Sequence, residues 1–158
     1  MYKRQGCTPL CEASQKGHTE VVERLLARDD IDVNKARKED GSTPLFMASW
    51  FGHTEVAERL LAKDDIDVNK ARTSDGCTPL LMANHKGHTE VVARLLARDD
   101  IDVNKARTGS GCTPLYMASQ NGHTEAVERL LAKDDIDVNK AETDNGCCLL
   151  YTSPSPRD

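Results

Sequence analysis

The sequence predicts an all-α solenoid of stacked helix–turn–helix repeats, and three features of the letters predict it. The twenty residues 17–36, GHTEVVERLLARDDIDVNKA, return with few changes at 52–71, 87–106 and 122–141, so the chain carries an internal period of 35 residues. Each copy is preceded by Thr-Pro, at Thr8-Pro9, Thr43-Pro44, Thr78-Pro79 and Thr113-Pro114. That pair starts a helix, because the hydroxyl accepts from an orphan backbone N–H and Pro sits where its missing N–H is not needed. Finally, Val21, Val22, Leu25 and Leu26 fall on one stripe of a segment too short to be stable alone, so it must bury that stripe against the next copy.

The first helix of repeat 1 is expected from about Pro9 to Gln15, ended by Gly17, the residue able to turn left-handed. Thr19 is expected to cap the second helix, with Glu20 an acid in its first turn and Glu20 and Arg24 paired at i, i+4. Residues 28–37 then connect to the next unit. Four such units bury a continuous core. The repeats span about 6–40, 41–75, 76–110 and 111–145, within an array of residues 1–147.

Thr-Pro-Leu-x-x-Ala, Gly-His-Thr-Glu-Val-Val, the Leu-Leu pair and Asp-Val-Asn together resemble the ankyrin repeat family. The resemblance covers roughly residues 1–147 and implies an ankyrin-type solenoid whose helix pairs are joined by β-hairpin-like loops, or fingers. Two departures are visible. The repeat is longer than the usual ~33 residues, with Asp-Asp where a Gly ordinarily follows the second helix, which predicts a longer finger entered through an Asp that tolerates a left-handed turn. The residue after Thr-Pro-Leu, commonly His in the family, is Cys11, Phe46, Leu81 or Tyr116, so apolar packing replaces a hydrogen bond to the Thr hydroxyl.

The two ends differ. Glu12 stands where later repeats have Met47, Met82 and Met117, which gives repeat 1 the polar outer face of a capping repeat and makes Met1 the expected start. Residues 148–158, CLLYTSPSPRD, resemble the translation of a transposase adapter from a sequencing library and are set aside as a non-native or disordered tail. The array is then expected to continue past residue 147 in the natural protein.

A net charge of −5 and a pI near 5.5 give no basic face for nucleic acid. No apolar run suits a membrane span or signal peptide, so a cytoplasmic or nuclear setting is expected. Cys7, Cys77 and Cys112 share one slot in different repeats and are read as thiols in a reducing compartment. Asp30-Ile31-Asp32-Val33-Asn34 opens like a calcium loop but meets Lys35 and Gly41 where Gly and Glu are required. His18, His53, His88 and His123 recur too far apart to share one zinc ion, and are read as turn-bracing residues. Neither cofactor nor metal is expected, and no phosphate loop, His-Glu-x-x-His helix or nucleophile elbow marks an enzyme.

Variation between copies points to the binding surface. The ends of the first helices change in character, as Gln15-Lys16, Trp50-Phe51, His85-Lys86 and Gln120-Asn121, and the finger tips vary at Glu39-Asp40, Ser74-Asp75 and Gly109-Ser110. The family resemblance places these on the concave side, where partners dock. Phe46 and Trp50 share a helix face at i, i+4, with Phe51 adjoining and Tyr116 in the slot of Phe46 two repeats on. The expected function is a protein–protein interaction scaffold holding an unidentified protein partner, with no small-molecule ligand. The alternatives are a regulatory or targeting arm of a larger protein, such as an enzyme, continuing beyond residue 147, and a structural spacer.

Overall fold

A computed structural model of the chain describes residues 6–142. Met1 and the adapter-like stretch 148–158 lie outside them. Eight helices follow in pairs: α1 (Pro9–Lys16) and α2 (Thr19–Leu26), α3 (Pro44–Phe51) and α4 (Thr54–Leu61), α5 (Pro79–Lys86) and α6 (Thr89–Leu96), and α7 (Pro114–Gln120) and α8 (Thr124–Leu131). Among the described residues there is no strand. The odd-numbered helices pack in one row, the even-numbered in a second, and each pair packs internally. The protein is an α-solenoid.

The Thr-Pro start works as its chemistry dictates. Thr8, Thr43, Thr78 and Thr113 each accept a hydrogen bond at 3.1 Å from the backbone N–H three residues on, with Pro at the first helical position. The residues donating those bonds are the ones standing where the family commonly has His. Cys11, Phe46 and Leu81 are fully buried there, so the cap is made by backbone and the pocket filled by apolar packing.

The second helices start differently from the sequence expectation. His18, not Thr19, occupies the cap position, without a side-chain cap bond, and Thr19 is the first helical residue. The capping role of the imidazole is spent on the neighbouring repeat. His53 Nε2 bonds the Gln15 carbonyl at 2.9 Å, His88 Nε2 the Trp50 carbonyl at 2.9 Å, and His123 Nε2 the His85 carbonyl at 3.2 Å. Gly52 shows why this slot needs glycine: its φ is +73°, and a Cβ built there would lie 2.6 Å from His88 Nδ1. The turn-bracing reading of these histidines stands, and the turn they brace belongs to the preceding repeat.

Arginines also reach across. Arg59 pairs with Glu23 and Arg94 with Glu58, each on the preceding repeat, where an i, i+4 pair within the helix was expected. Arg129 has Ala93 in place of that glutamate and falls back on Glu125 of its own helix, at 2.9 Å. The Asp-Val-Asn motif makes a third link. Asn34 donates to the Asp65 carbonyl at 2.7 Å and accepts from the Asp67 N–H at 2.8 Å, and Asn69 and Asn104 repeat this one and two units on.

Two apolar clusters fill the stack. The larger lies between the helix rows and includes Leu10, Leu45, Leu80, Val56, Val91, Leu60 and Leu95. The smaller runs along the finger side of the odd-numbered helices and holds Cys11, Phe46, Met47, Leu81, Met82 and Met117, with Trp50 and Tyr116 packed against it. Helix α2 exits through right-handed Ala27, and no non-glycine residue among those described has positive φ, so the expected left-handed Asp is absent. Cys7, Cys11 and Cys77 are free thiols, with burial first among the causes that push Cys11 and Cys77 to about 12. Cys112 departs from the thiol reading, being disulfide-bonded.

Candidate functional site

Each of the first three fingers is a hairpin turn closed by its own arginine. Arg37 N–H donates to the Ser42 carbonyl at 2.8 Å while the Arg37 carbonyl accepts from Gly41 N–H at 2.8 Å. The Arg37 guanidinium then binds Asp40 through Nε at 3.0 Å and Nη2 at 2.6 Å. Asp40 also accepts from Ser42 N–H at 3.0 Å and Ser42 Oγ at 2.8 Å. Burial works to raise the Asp40 pKa, but the bonds from Arg37 and Ser42 outweigh it and hold the carboxyl at about 2. The second finger repeats the design. Arg72 Nε binds Asp75 at 3.0 Å, with Nη2 on the second oxygen, and Asp75 accepts from Cys77 N–H at 3.1 Å.

Between the first finger and α3 lies an open groove of about 310 Å³. Gln15 of α1, Arg37 and Glu39 of the first finger, Trp50 and Phe51 of α3, and Arg72 of the second finger line it. Trp50 is half-buried and Phe51 is 44% exposed. Their rings stack with centroids 6.1 Å apart, and Trp50 meets Phe46 edge-on at 5.8 Å. The Arg72 guanidinium lies 4.9 Å from the Trp50 ring centroid, and Lys86 Nζ lies 5.5 Å from it. The Trp50 ring thus has two cations beside it, Arg72 from the finger of its own repeat and Lys86 from the next repeat.

The remaining sequence candidates sort by exposure. Lys16, Glu39, Ser74, Lys86, Gly109 and Gln120 are exposed, and Gln15, His85, Tyr116 and Asn121 are half-buried. Phe46 is a correction: it is fully buried, 4.8 Å from the Arg72 guanidinium, and fills the gap between helices because its β-carbon faces the finger row rather than solvent. Ser110 is a second correction, being buried in the third finger. The Asp40 and Asp75 carboxylates are engaged inside their own fingers. His85 is coupled to the last repeat, since Asn121 Nδ2 donates to the Met117 carbonyl at 2.7 Å and lies 3.3 Å from His85 Nδ1. Burial, then Lys86, His123 and Arg107, lower the His85 pKa, in keeping with a neutral ring that accepts at Nδ1.

Arg37, Arg72 and Arg107 are residues that sequence reasoning missed. Their signal was present in the constant Arg three residues before the last finger-tip position. Among the described residues, no group of three or more His, Cys, Asp and Glu side chains is placed to hold a metal.

Fold and groove together define a helical repeat protein with a row of fingers beside an open groove. The family model described as Ankyrin repeats (3 copies) matches residues 1–72 and 67–142, and the chain belongs to the ankyrin repeat family. A search of curated proteins finds no match. Ankyrin repeats are generally protein–protein interaction modules and typically non-catalytic. No helix among the described residues is long and apolar enough to cross a membrane.

Proposed function

We propose that this chain is a non-catalytic recognition module that binds a protein partner in the groove of repeats 1 and 2, with Trp50 and Phe51 as anchors. The observation that carries the reading is the exposed Phe51 stacked on Trp50 in an open groove whose walls are already ion-paired. A large, oriented aromatic surface loses little conformational freedom on binding, and Trp is the side chain most often found as a hot spot. Glu39, Lys16 and Lys86 supply an exposed charged rim around it. The array, with repeats at about 6–40, 41–75, 76–110 and 111–145, acts here as one rigid support.

The test is partner capture from extract followed by affinity measurement on the purified pair. Trp50→Ala should weaken binding by about 2 kcal/mol or more if the indole is the anchor. Affinity unchanged by both Trp50→Ala and Phe51→Ala, with helical content preserved, refutes the reading and leaves the spacer.

A further inference from the structure

The second helices at the two ends of the described stack expose the apolar residues that the inner junctions cover. At the first end these belong to α2 and the loop after it. Val21 is 47% exposed and Leu25 and Ile31 are half-buried, whereas Val56 and Val91, Leu60 and Leu95, and Ile66 and Ile101, in the same slots of repeats 2 and 3, are buried. Two open hollows lie here, one of about 350 Å³ along Leu10, Leu25 and Ile31 and one of about 420 Å³ at His18 and Val21. The polar replacement of this repeat, Glu12, is on α1, where it pairs with Lys16 at 3.7 Å, so it leaves the α2 edge apolar. At the last end Leu131 is 50% and Val138 56% exposed, while Leu26, Leu61 and Leu96, and Val33, Val68 and Val103, are buried. A third hollow, of about 330 Å³, opens between them and α7.

The polar groups divide between the ends in the same way. Across an inner junction the later repeat brings the imidazole and the arginine, as His53 and Arg59 do, and the earlier repeat brings the carbonyl, the glutamate and the asparagine, as Gln15, Glu23 and Asn34 do. His18 and Arg24, the counterparts of the first set, are exposed at one end, and Glu128 and Asn139, of the second set, are exposed at the other. Gly17, Gly52 and Gly87 each lie against the histidine ring of the following repeat, whereas a Cβ built at Gly122 meets nothing within 4 Å. The two ends are also spelled like a junction the chain already makes. Over the twenty-residue unit repeat 1 matches repeat 3 except for Glu23 in place of Ala93, and repeat 4 matches repeat 2 except that Val56-Ala57 becomes Ala126-Val127.

We infer that this chain binds a second copy of itself head to tail, the first end of one copy docking on the last end of the other through the contacts of the junction between repeats 2 and 3. His18 then takes the Gln120 carbonyl beside Gly122, Arg24 takes Glu128, and Val21, Leu25 and Ile31 cover Leu131 and Val138. The two docking ends differ, so every added copy presents a fresh end and growth stays open unless the rotation closes it. Separate copies lose translational and rotational freedom that linked repeats do not, so the association is weaker than an inner junction and depends on concentration. It uses none of the residues that line the groove at Trp50, and stands or falls apart from the groove.

The experiment is sedimentation equilibrium of the full chain at concentrations up to about 1 mM, where the average mass should rise from monomer through dimer to longer species. Val21→Asp blocks the first end and Val138→Asp the last, both at exposed positions, with the fold of each variant checked by circular dichroism. Each variant alone should stay monomeric. An equimolar mixture of the two should stop at the dimer, because only one matched pair of ends remains. His18→Ala should weaken the parent association about fivefold, the effect of one hydrogen bond. Trp50→Ala, which tests the groove, should leave it unchanged. A parent chain that is monomeric up to about 1 mM, a single-end variant that still associates, or a mixture that stays monomeric overturns the inference.

Discussion

Replacing His88 with alanine tests whether the repeats are held together by the imidazole staple. The His88 ring bonds the Trp50 carbonyl at 2.9 Å and abuts Gly52, whose left-handed turn ends α3. A hydrogen bond of this kind contributes about 1 kcal/mol net. Loss of ring contact with the turn adds about 1 kcal/mol more at the usual value for apolar area removed from water. The expected cost is therefore about 2 kcal/mol, or a fall in melting temperature of about 4–8 °C for a chain of this size. The molecule supplies its own control, because His18 is exposed and its ring bonds no carbonyl among the described residues. Thermal and urea unfolding followed by circular dichroism at the helix band would measure both variants. If His18→Ala costs as much as His88→Ala, the inter-repeat bond is not the source of the stability and the argument fails.

Other outcomes follow from the same geometry. Phe46→Ala empties a fully buried aromatic site and should cost about 3–5 kcal/mol, read from urea unfolding, whereas a surface-contact residue would lose little. Acidification should erode stability in two windows, each set by a carboxyl or imidazole whose folded pKa is depressed. The His85 contribution is present above its ordinary 6.5 and lost as pH falls below it. The Asp40 contribution is present above the ordinary 3.8 and lost as pH falls toward about 2, with Asp75 acting in the same direction. The Asp40 difference corresponds to about 2 kcal/mol at 1.36 kcal/mol per unit, and Asp40→Asn should flatten the lower window in a pH series of melting curves.

How much was legible depended on how far a signal reached along the chain. The helix starts at Thr-Pro were readable because capping is settled within three residues, and Thr43 accepting from Phe46 N–H is that local rule in place. Asn34 was visible as the end of an Asp-x-Asp-x-Asn string that fails as a calcium loop, and its backbone targets at Asp65 and Asp67 lie in the next unit. The i, i+4 rule paired Glu20 with Arg24 inside one helix, whereas Arg59, the equivalent of Arg24 one repeat on, binds Glu23 of the preceding repeat. Phe46 and Trp50 were placed on one helix face correctly, yet only packing separates them: the finger and Arg72 close over Phe46 and leave Trp50 at the groove.

The sequence by itself determined the period, the helix pairs, their caps and the turns at glycine, since each is decided by dihedral preference and hydrogen bonding between residues a few positions apart. The tertiary structure decided which histidine, arginine and asparagine serves the adjoining repeat, and which aromatic faces outward. It also decided that Arg37 and Arg72 spend their guanidiniums on Asp40 and Asp75 of their own fingers. Those outcomes depend on contacts about 35 residues apart in sequence, and such contacts exist only once the units are stacked.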